Sequence, residues 1–206
     1  MAQFFAIHPT HPQARLVRRA ADIVRAGGLI AYPTDSCYAL GCALGEAKPL
    51  ERLRRVRGID ERHYLTLMCR DLAEIANYAI VDDTAYRFLK TPGSYTFILR
   101  ARREVPRRVT RKKTIGVRVP GHPVAHALLA ELDAPMLSAT LLLPQDAAPL
   151  SDAPEIRERL EHEVDLVIDA GSCGTEPSTV IDLTSDPPSV LRAGKGPLAP
   201  FVVESV

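Results

Sequence analysis

Apolar positions fall with two different periods along this chain, and the two periods alternate. Between 12 and 28, Leu16, Val17, Ala20, Ile23 and Val24 recur three and four apart with arginines between them, which predicts an amphipathic helix ending at Gly27-Gly28. Leu29 to Tyr32 is a continuous apolar run, and Pro33 cannot donate to a sheet ladder, so a buried strand is expected to stop there. Leu50, Leu53 and Val56 return to helical spacing over about 49–57, with Pro49 in the first turn and Gly58 just past the end. The same reading predicts a strand at 65–68, a short helix from Asp71 and a helix over 83–90. The turn Thr91-Pro92-Gly93-Ser94 then leads into a strand at 95–99. Beyond it come an alternating strand at 114–120, a helix opened by His122-Pro123 and running through Leu132, and a short strand at 136–138 continuing into 139–144. A helix over 155–161 and strands at 164–168, 179–183 and 189–192 complete the pattern. The segment 145–154, rich in Ala, Pro, Asp and Ser, reads as a mobile loop and a candidate lid. Interleaved helices and strands without an internal repeat or linker predict one α/β domain over 1–206, built on a twisted mixed sheet.

Composition narrows the class. At 206 residues, with 46% hydrophobic and 25% charged positions, the chain suits a soluble globular domain and excludes disordered and fibrous classes. No run approaches the ~18 apolar residues of a membrane span, and the N-terminus lacks a charged segment followed by a long apolar one, so a cytoplasmic protein without a membrane partner is expected. Cys37, Cys42, Cys69 and Cys173 show neither Cys-x-x-Cys nor zinc spacing, which supports no metal site and no disulfide framework. The net charge of +1 hides an uneven distribution. Arg52, Arg54, Arg55 and Arg57 form one basic cluster, and Arg100, Arg102, Arg103, Arg107, Arg108, Arg111, Lys112 and Lys113 form another, while acidic residues gather between Asp146 and Asp169. A cationic face on a neutral protein is the expectation.

Candidate chemistry sits at the strand ends. Thr34, Asp35 and Ser36 follow Pro33, where they could cap a turn or touch a ligand beyond the carboxyl end of a buried strand. Other strand ends carry Thr114 and Arg118, Ser138 and Thr140, and Ser178, Thr179 and Arg192; Arg55 and Arg57 stand at a helix end. Guanidinium groups and hydroxyls together suit phosphate or carboxylate, and without a nucleophile–base pair they point to ligand positioning instead of covalent catalysis. No residue is assigned a catalytic role. Gly194-Lys195-Gly196 lacks the rest of a phosphate loop, Gly171-Ser172-Cys173-Gly174 reads as a turn, and His122 and His126 have no third ligand in view. Cys37 reads as a buried, inert thiol.

Seven segments in order carry a resemblance to a known family. They are the run from Tyr32 to Gly41, Arg55-Val56-Arg57, Pro92-Gly93-Ser94-Tyr95-Thr96, Thr114 to Pro120 with His122-Pro123, Met136 to Thr140, Pro177 to Asp182, and Leu191 to Gly194. With them the chain resembles the YrdC-like threonylcarbamoyl-adenylate synthases, most closely the YciO branch. The resemblance implies a single YrdC-like domain with an open twisted sheet and a concave basic cleft. It implies the use of ATP, L-threonine and bicarbonate, with Mg2+ on the triphosphate, in forming N6-threonylcarbamoyladenosine in tRNA. Carried over by position, Thr34, Ser36, Arg118, Ser138 and Ser178 are expected to contact the amino acid, and Arg55, Arg57, Thr114, Thr140 and Arg192 the nucleotide. Three positions depart from the family's pattern: Arg55 stands for a lysine, Leu142 replaces an asparagine, and Met68 lies near the place of a histidine that follows the Lys-x-Arg segment. These departures imply weak activity or a different substrate. The alternative is a protein that keeps the cleft but binds structured RNA, a tRNA or another duplex, through the basic clusters.

Overall fold

The computed structural model describes residues 1–91 and 93–201. Pro92, within the expected turn, and 202–206, the end of the expected domain, lie outside the described residues. The strands are β1 (Gln3–Ala6), β2 (Ile30–Tyr32), β3 (Ala39–Ala43), β4 (Thr66–Met68), β5 (Tyr95–Arg100), β6 (Thr114–Arg118), β7 (Met136–Thr140), β8 (Leu166–Asp169), β9 (Thr179–Asp182) and β10 (Ser189–Arg192). The helices are α1 (Ala14–Arg25), α2 (Ala47–Arg57), α3 (Leu72–Tyr78), α4 (Asp83–Leu89), α5 (Pro123–Leu132) and α6 (Ala153–Leu160), with a single 3-10 turn at Arg107–Val109. The strands form one mixed sheet in the order β1-β8-β2-β3-β7-β4-β6-β5-β9-β10, so the fold is the expected α/β domain on an open sheet.

Local chemistry explains the boundaries. The first helix is shorter than the periodicity suggests because Gly27, at φ +82°, turns the chain out of it. Gly58, at φ +61°, closes α2 in the same way. Side chains of Asp71, Asp82, His122 and Asp152 accept the first free backbone N–H groups of α3, α4, α5 and α6, which starts α6 before the predicted Glu155. The edge strand β1 was not legible: it is four residues long and acquires its structure by pairing in parallel with β8.

Alternation along the strands builds two cores. Ile30, Tyr32, Leu166 and Ile168 point to one face, where Val17, Ala20 and Val24 of α1 and Val124, Leu128 and Leu129 of α5 cover them. Ala31, Leu40, Leu67, Leu137 and Val167 point to the other, against Leu50 and Leu53 of α2 and Ile156 of α6. On the first face the residues toward β4, β6 and β5 change character to Thr66, Gly116, Arg118, Thr96 and Ser138, small or polar, and this part of the sheet floors a cavity.

Segment 145–154, expected as a mobile loop and lid, is fastened. Leu150 N–H bonds the Leu141 carbonyl, Cys173 N–H bonds the Ser151 carbonyl, and Arg159 holds Asp146 at 2.8 Å. Ala147, Ala148 and Pro149 form a wall of the cavity. None of the described helices is long and apolar enough to cross a membrane.

Candidate functional site

The turn between β2 and β3 is the anchor of the site. Pro33 ends β2, and the chain re-enters the sheet at Ala39, opposite Tyr32. Within the turn the Thr34 hydroxyl donates to the Cys37 carbonyl at 2.6 Å and accepts from the Ser36 and Cys37 N–H groups, so the turn is capped as its composition suggests. The same turn also carries contacts to distant elements. Arg118, at the end of β6, places Nη1 3.0 Å from Ser36 Oγ and Nη2 2.8 Å from Asp35 Oδ1. Asp35 further accepts from Ser94 Oγ at 2.6 Å and from Gly121 N–H at 3.0 Å, and its carbonyl accepts from Lys195 Nζ. Burial alone would raise the Asp35 carboxyl, but Arg118, the Ser94 hydroxyl and the Gly121 N–H outweigh it and hold it below the ordinary carboxylate range.

Above this turn lies a cavity of about 550 Å³. Thr34, Ser36, Arg118, Ser138 and Ser178 all line it, together with Arg57, Thr140 and Arg192. Eight of the ten residues inferred from resemblance therefore come together. Arg55 does not. It is two residues from Arg57 on α2, which turns it about 200° away, and it pairs on the surface with Glu163 at 2.8 Å. Thr114 does not line the cavity either. It begins β6, and its hydroxyl donates to the Arg111 carbonyl and lies 3.2 Å from Tyr64 Oη. The histidine on the wall is His63, five positions before Met68, and sequence reasoning passed over it because it lies in an aperiodic connection between α2 and β4. Thr96 was missed as a site residue for a different reason: its place on β5 was clear, but only the sheet order brings its hydroxyl within 2.8 Å of Ser178 Oγ. Arg62 and Arg111 also reach the wall.

Electrostatically the cavity is one-sided. Arg57, Arg62, Arg111, Arg118 and Arg192 line it, and among the described residues no carboxylate does. Arg57 is 8% exposed, and its Nε has no hydrogen-bond acceptor. Arg192 donates to the Ser178 carbonyl at 2.8 Å. Burial pulls both guanidinium groups down from their ordinary range. Burial pushes the Cys37 thiol up, which suits a spectator and not a nucleophile. Among the described residues no three His, Cys, Asp or Glu stand close enough together to hold a metal. His122 instead caps α5.

Hydroxyl protons are mostly committed. Ser138 Oγ donates to the Leu40 carbonyl, so the Tyr32 hydroxyl donates to Ser138. The Thr34 proton is spent on the Cys37 carbonyl and its lone pairs on the Ser36 and Cys37 N–H groups, while Ser36 Oγ accepts from Arg118. Ser138 thus faces the cavity as an acceptor, whereas the Thr96–Ser178 pair keeps one free O–H.

Comparison with known proteins shows the family. The profile of the Sua5, YciO and YrdC family, described as telomere recombination, matches residues 22–194. The chain belongs to the Sua5/YciO/YrdC family. It is 52% identical to the YciO protein of Escherichia coli (strain K12) over 98% of this chain and 100% of that one. The crystal structure of E. coli YciO superposes with a TM-score of 0.94 over the same shares of the two chains. A threonylcarbamoyl-AMP synthase of Halorhodospira halophila (strain DSM 244 / SL1) is 32% identical over 80% of this chain and 88% of its own. Sua5 of P. abyssi complexed with L-threonine superposes with a TM-score of 0.86 at 26% identity, over 93% of this chain and 57% of that one.

Proposed function

We propose that the protein is a threonylcarbamoyl-adenylate synthase of low turnover. The observation that carries this reading is one cavity lined by Arg57, Arg118, Arg192, Ser36, Ser138, Ser178 and Thr140, with no carboxylate on its wall among the described residues. In this reading threonine lies over the β2–β3 turn. Its carboxylate meets Arg118 and the free O–H of the Thr96–Ser178 pair, while the lone pairs of Ser36 and Ser138 accept from its amine and hydroxyl. Its ammonium group and bicarbonate give a carbamate, a water and a proton. A carbamate oxygen then attacks the α-phosphorus of ATP, and pyrophosphate leaves. Arg57, buried in the wall, and Arg192, held by the Ser178 carbonyl, offset the charge that develops on the phosphates. Among the described residues no carboxylate on the wall would hold Mg2+, which would come with the triphosphate as part of the substrate. Catalysis is positioning of two anions side by side, and no protein nucleophile is needed.

The test is pyrophosphate release from ATP with L-threonine and bicarbonate, each omitted in turn. Release that requires both, with the mixed anhydride seen by mass spectrometry, supports the reading, and none above blank overturns it. Low turnover follows from Leu142, which lines the cavity where the family pattern has an amide. Leu142→Asn is expected to tighten ATP binding by roughly tenfold, the worth of one hydrogen bond to a charged ligand. Calorimetry on the two proteins checks it, and an unchanged affinity would place the nucleotide elsewhere.

A second reading, binding of structured RNA, rests on the other basic cluster. Arg52, Arg54 and Arg55 are each in ion pairs, with Asp165, Glu61 and Glu163, but Arg102, Arg103, Arg107, Arg108, Lys112 and Lys113 are exposed in the connection that carries Arg111 to the cavity. Phosphate contacts from this row would give duplex binding that weakens steeply with salt; no binding even at low salt overturns that reading.

A further inference from the structure

Tyr32 does not line the cavity, yet its hydroxyl ends on a residue that does. Tyr32 closes β2 opposite Ala39 of β3, while Ser138 stands on β7, paired with Gly41 on the far side of β3. The phenol therefore crosses a whole strand to reach Ser138 Oγ at 2.8 Å. Gly41 leaves the lane open, because a Cβ there would stand 2.7 Å from Tyr32 Cε1, well inside the contact distance of two carbons. Burial, outweighing the Ser138 bond and the Arg118 charge, pushes the phenol above its ordinary range, so the hydroxyl stays protonated.

A serine hydroxyl without partners turns to suit whatever it meets. Ser138 is held from two sides instead: the Leu40 carbonyl takes its proton at 3.1 Å, and the Tyr32 proton takes one of its lone pairs. What remains for the cavity is the other lone pair.

We propose that Tyr32 is a positioning residue, which through its reach across β3 over Gly41 fixes Ser138 as a hydrogen-bond acceptor for the nitrogen of the amino-acid substrate. The proposal rests on the reading of the cavity as a threonine site and adds to it the group that sets the direction of one contact. That direction matters for the chemistry. The nitrogen carries N–H groups as an ammonium and keeps one as a carbamate, so an acceptor serves it before and after reaction. Between the two states the N–C bond forms, the bicarbonate hydroxyl leaves as water, and the nitrogen gives up two protons, one to that water and one to solvent. A hydroxyl donating to the nitrogen would occupy the lone pair that must attack the bicarbonate carbon. With Leu40 and Tyr32 both engaged, Ser138 has no proton to offer it.

The experiment is a double-mutant cycle on L-threonine affinity, measured by calorimetry on the full chain with Tyr32→Phe, Ser138→Ala and the two combined. Phenylalanine keeps the ring that fills the core, so Tyr32→Phe is expected to fold, and its melting temperature checks this. Ser138→Ala should weaken threonine binding roughly tenfold. Tyr32→Phe should weaken it several-fold in the parent and not at all in the Ser138→Ala background, with ATP affinity unchanged. A merely structural role would lower the affinity for both ligands and persist without the Ser138 hydroxyl. An equal loss in the two backgrounds, a parallel loss of ATP affinity, an unchanged threonine affinity in Tyr32→Phe, or no threonine binding to the parent would each overturn the proposal. Failure of the synthase reading alone would show differently, as threonine binding with the Tyr32 and Ser138 coupling intact but no bicarbonate-dependent pyrophosphate release.

Discussion

Arg57→Ala is expected to abolish stabilisation by ATP while leaving the melting temperature of the free protein nearly unchanged. Both halves follow from the way this side chain is held. Arg57 is buried against the cavity, its Nε has no acceptor, and none of the ion pairs among the described residues includes it. Truncation therefore strands no carboxylate, and the cost of burying an unpaired cation disappears with it, which offsets the loss of its packing. Ligand binding has no such compensation. Two charge-assisted hydrogen bonds at about 1.5–3 kcal/mol each put the loss at roughly a hundredfold or more in affinity. A ligand at about 100 times its Kd stabilises by about 2.7 kcal/mol, and a hundredfold weaker one at the same concentration by only about 0.4 kcal/mol. Arg55→Ala is the control, because Arg55 pairs with Glu163 outside the cavity and should leave the ATP response intact. Thermal shift measured over an ATP series decides it. A response kept in Arg57→Ala and lost in Arg55→Ala would reverse the assignment.

That contrast also marks what the sequence could say. Helical spacing puts Arg57 beside Leu53 and Val56, on the buried side of α2, and Arg55 opposite, so residue order alone could have separated them. The strand-end turn was legible because Pro33 must interrupt the ladder and Thr34, Asp35 and Ser36 must find partners. The identity of those partners was not. Arg118 lies 83 residues beyond Asp35, and Ser94 reaches it from a third element; neither pairing has a local signal. The alternation of Thr114, Gly116 and Arg118 put all three on one face of β6, but only the register with β4 and β5 shows that Thr114 stops short of the cavity. His63 and Arg111 lie in connections without periodicity, where pattern is silent and only the sheet order brings two distant segments to one mouth.

Asp35→Asn is expected to be the most damaging isosteric change in the site. Its carboxylate holds the Arg118 guanidinium at 2.8 Å, the Ser94 hydroxyl at 2.6 Å and the Gly121 N–H at 3.0 Å, so one group joins the β2–β3 turn to the start of β5 and the end of β6. The Arg118 side chain is only 7% exposed, against 21% for Asp35, and the amide leaves that cation without a counter-charge. Breaking one side of a buried pair costs about 3–5 kcal/mol, which at this chain length lowers the melting temperature by roughly 6–20 °C. Arg118 also loses the contact that aims it across the turn, so the threonine dependence of turnover should fall with stability. The pH dependence separates the ion pair from packing. The carboxyl titrates lower in the folded protein than its unfolded value of about 3.9, so its contribution is complete above that pH and disappears as pH falls through the folded value. The stability gap between parent and variant should therefore be constant from pH 5 to 8 and shrink steadily below about pH 4. Urea unfolding of both proteins across that range measures it. A gap that persists undiminished in acid would assign Asp35 a role through shape alone, and the absence of a gap at pH 7 would mean that Arg118 holds its place without it.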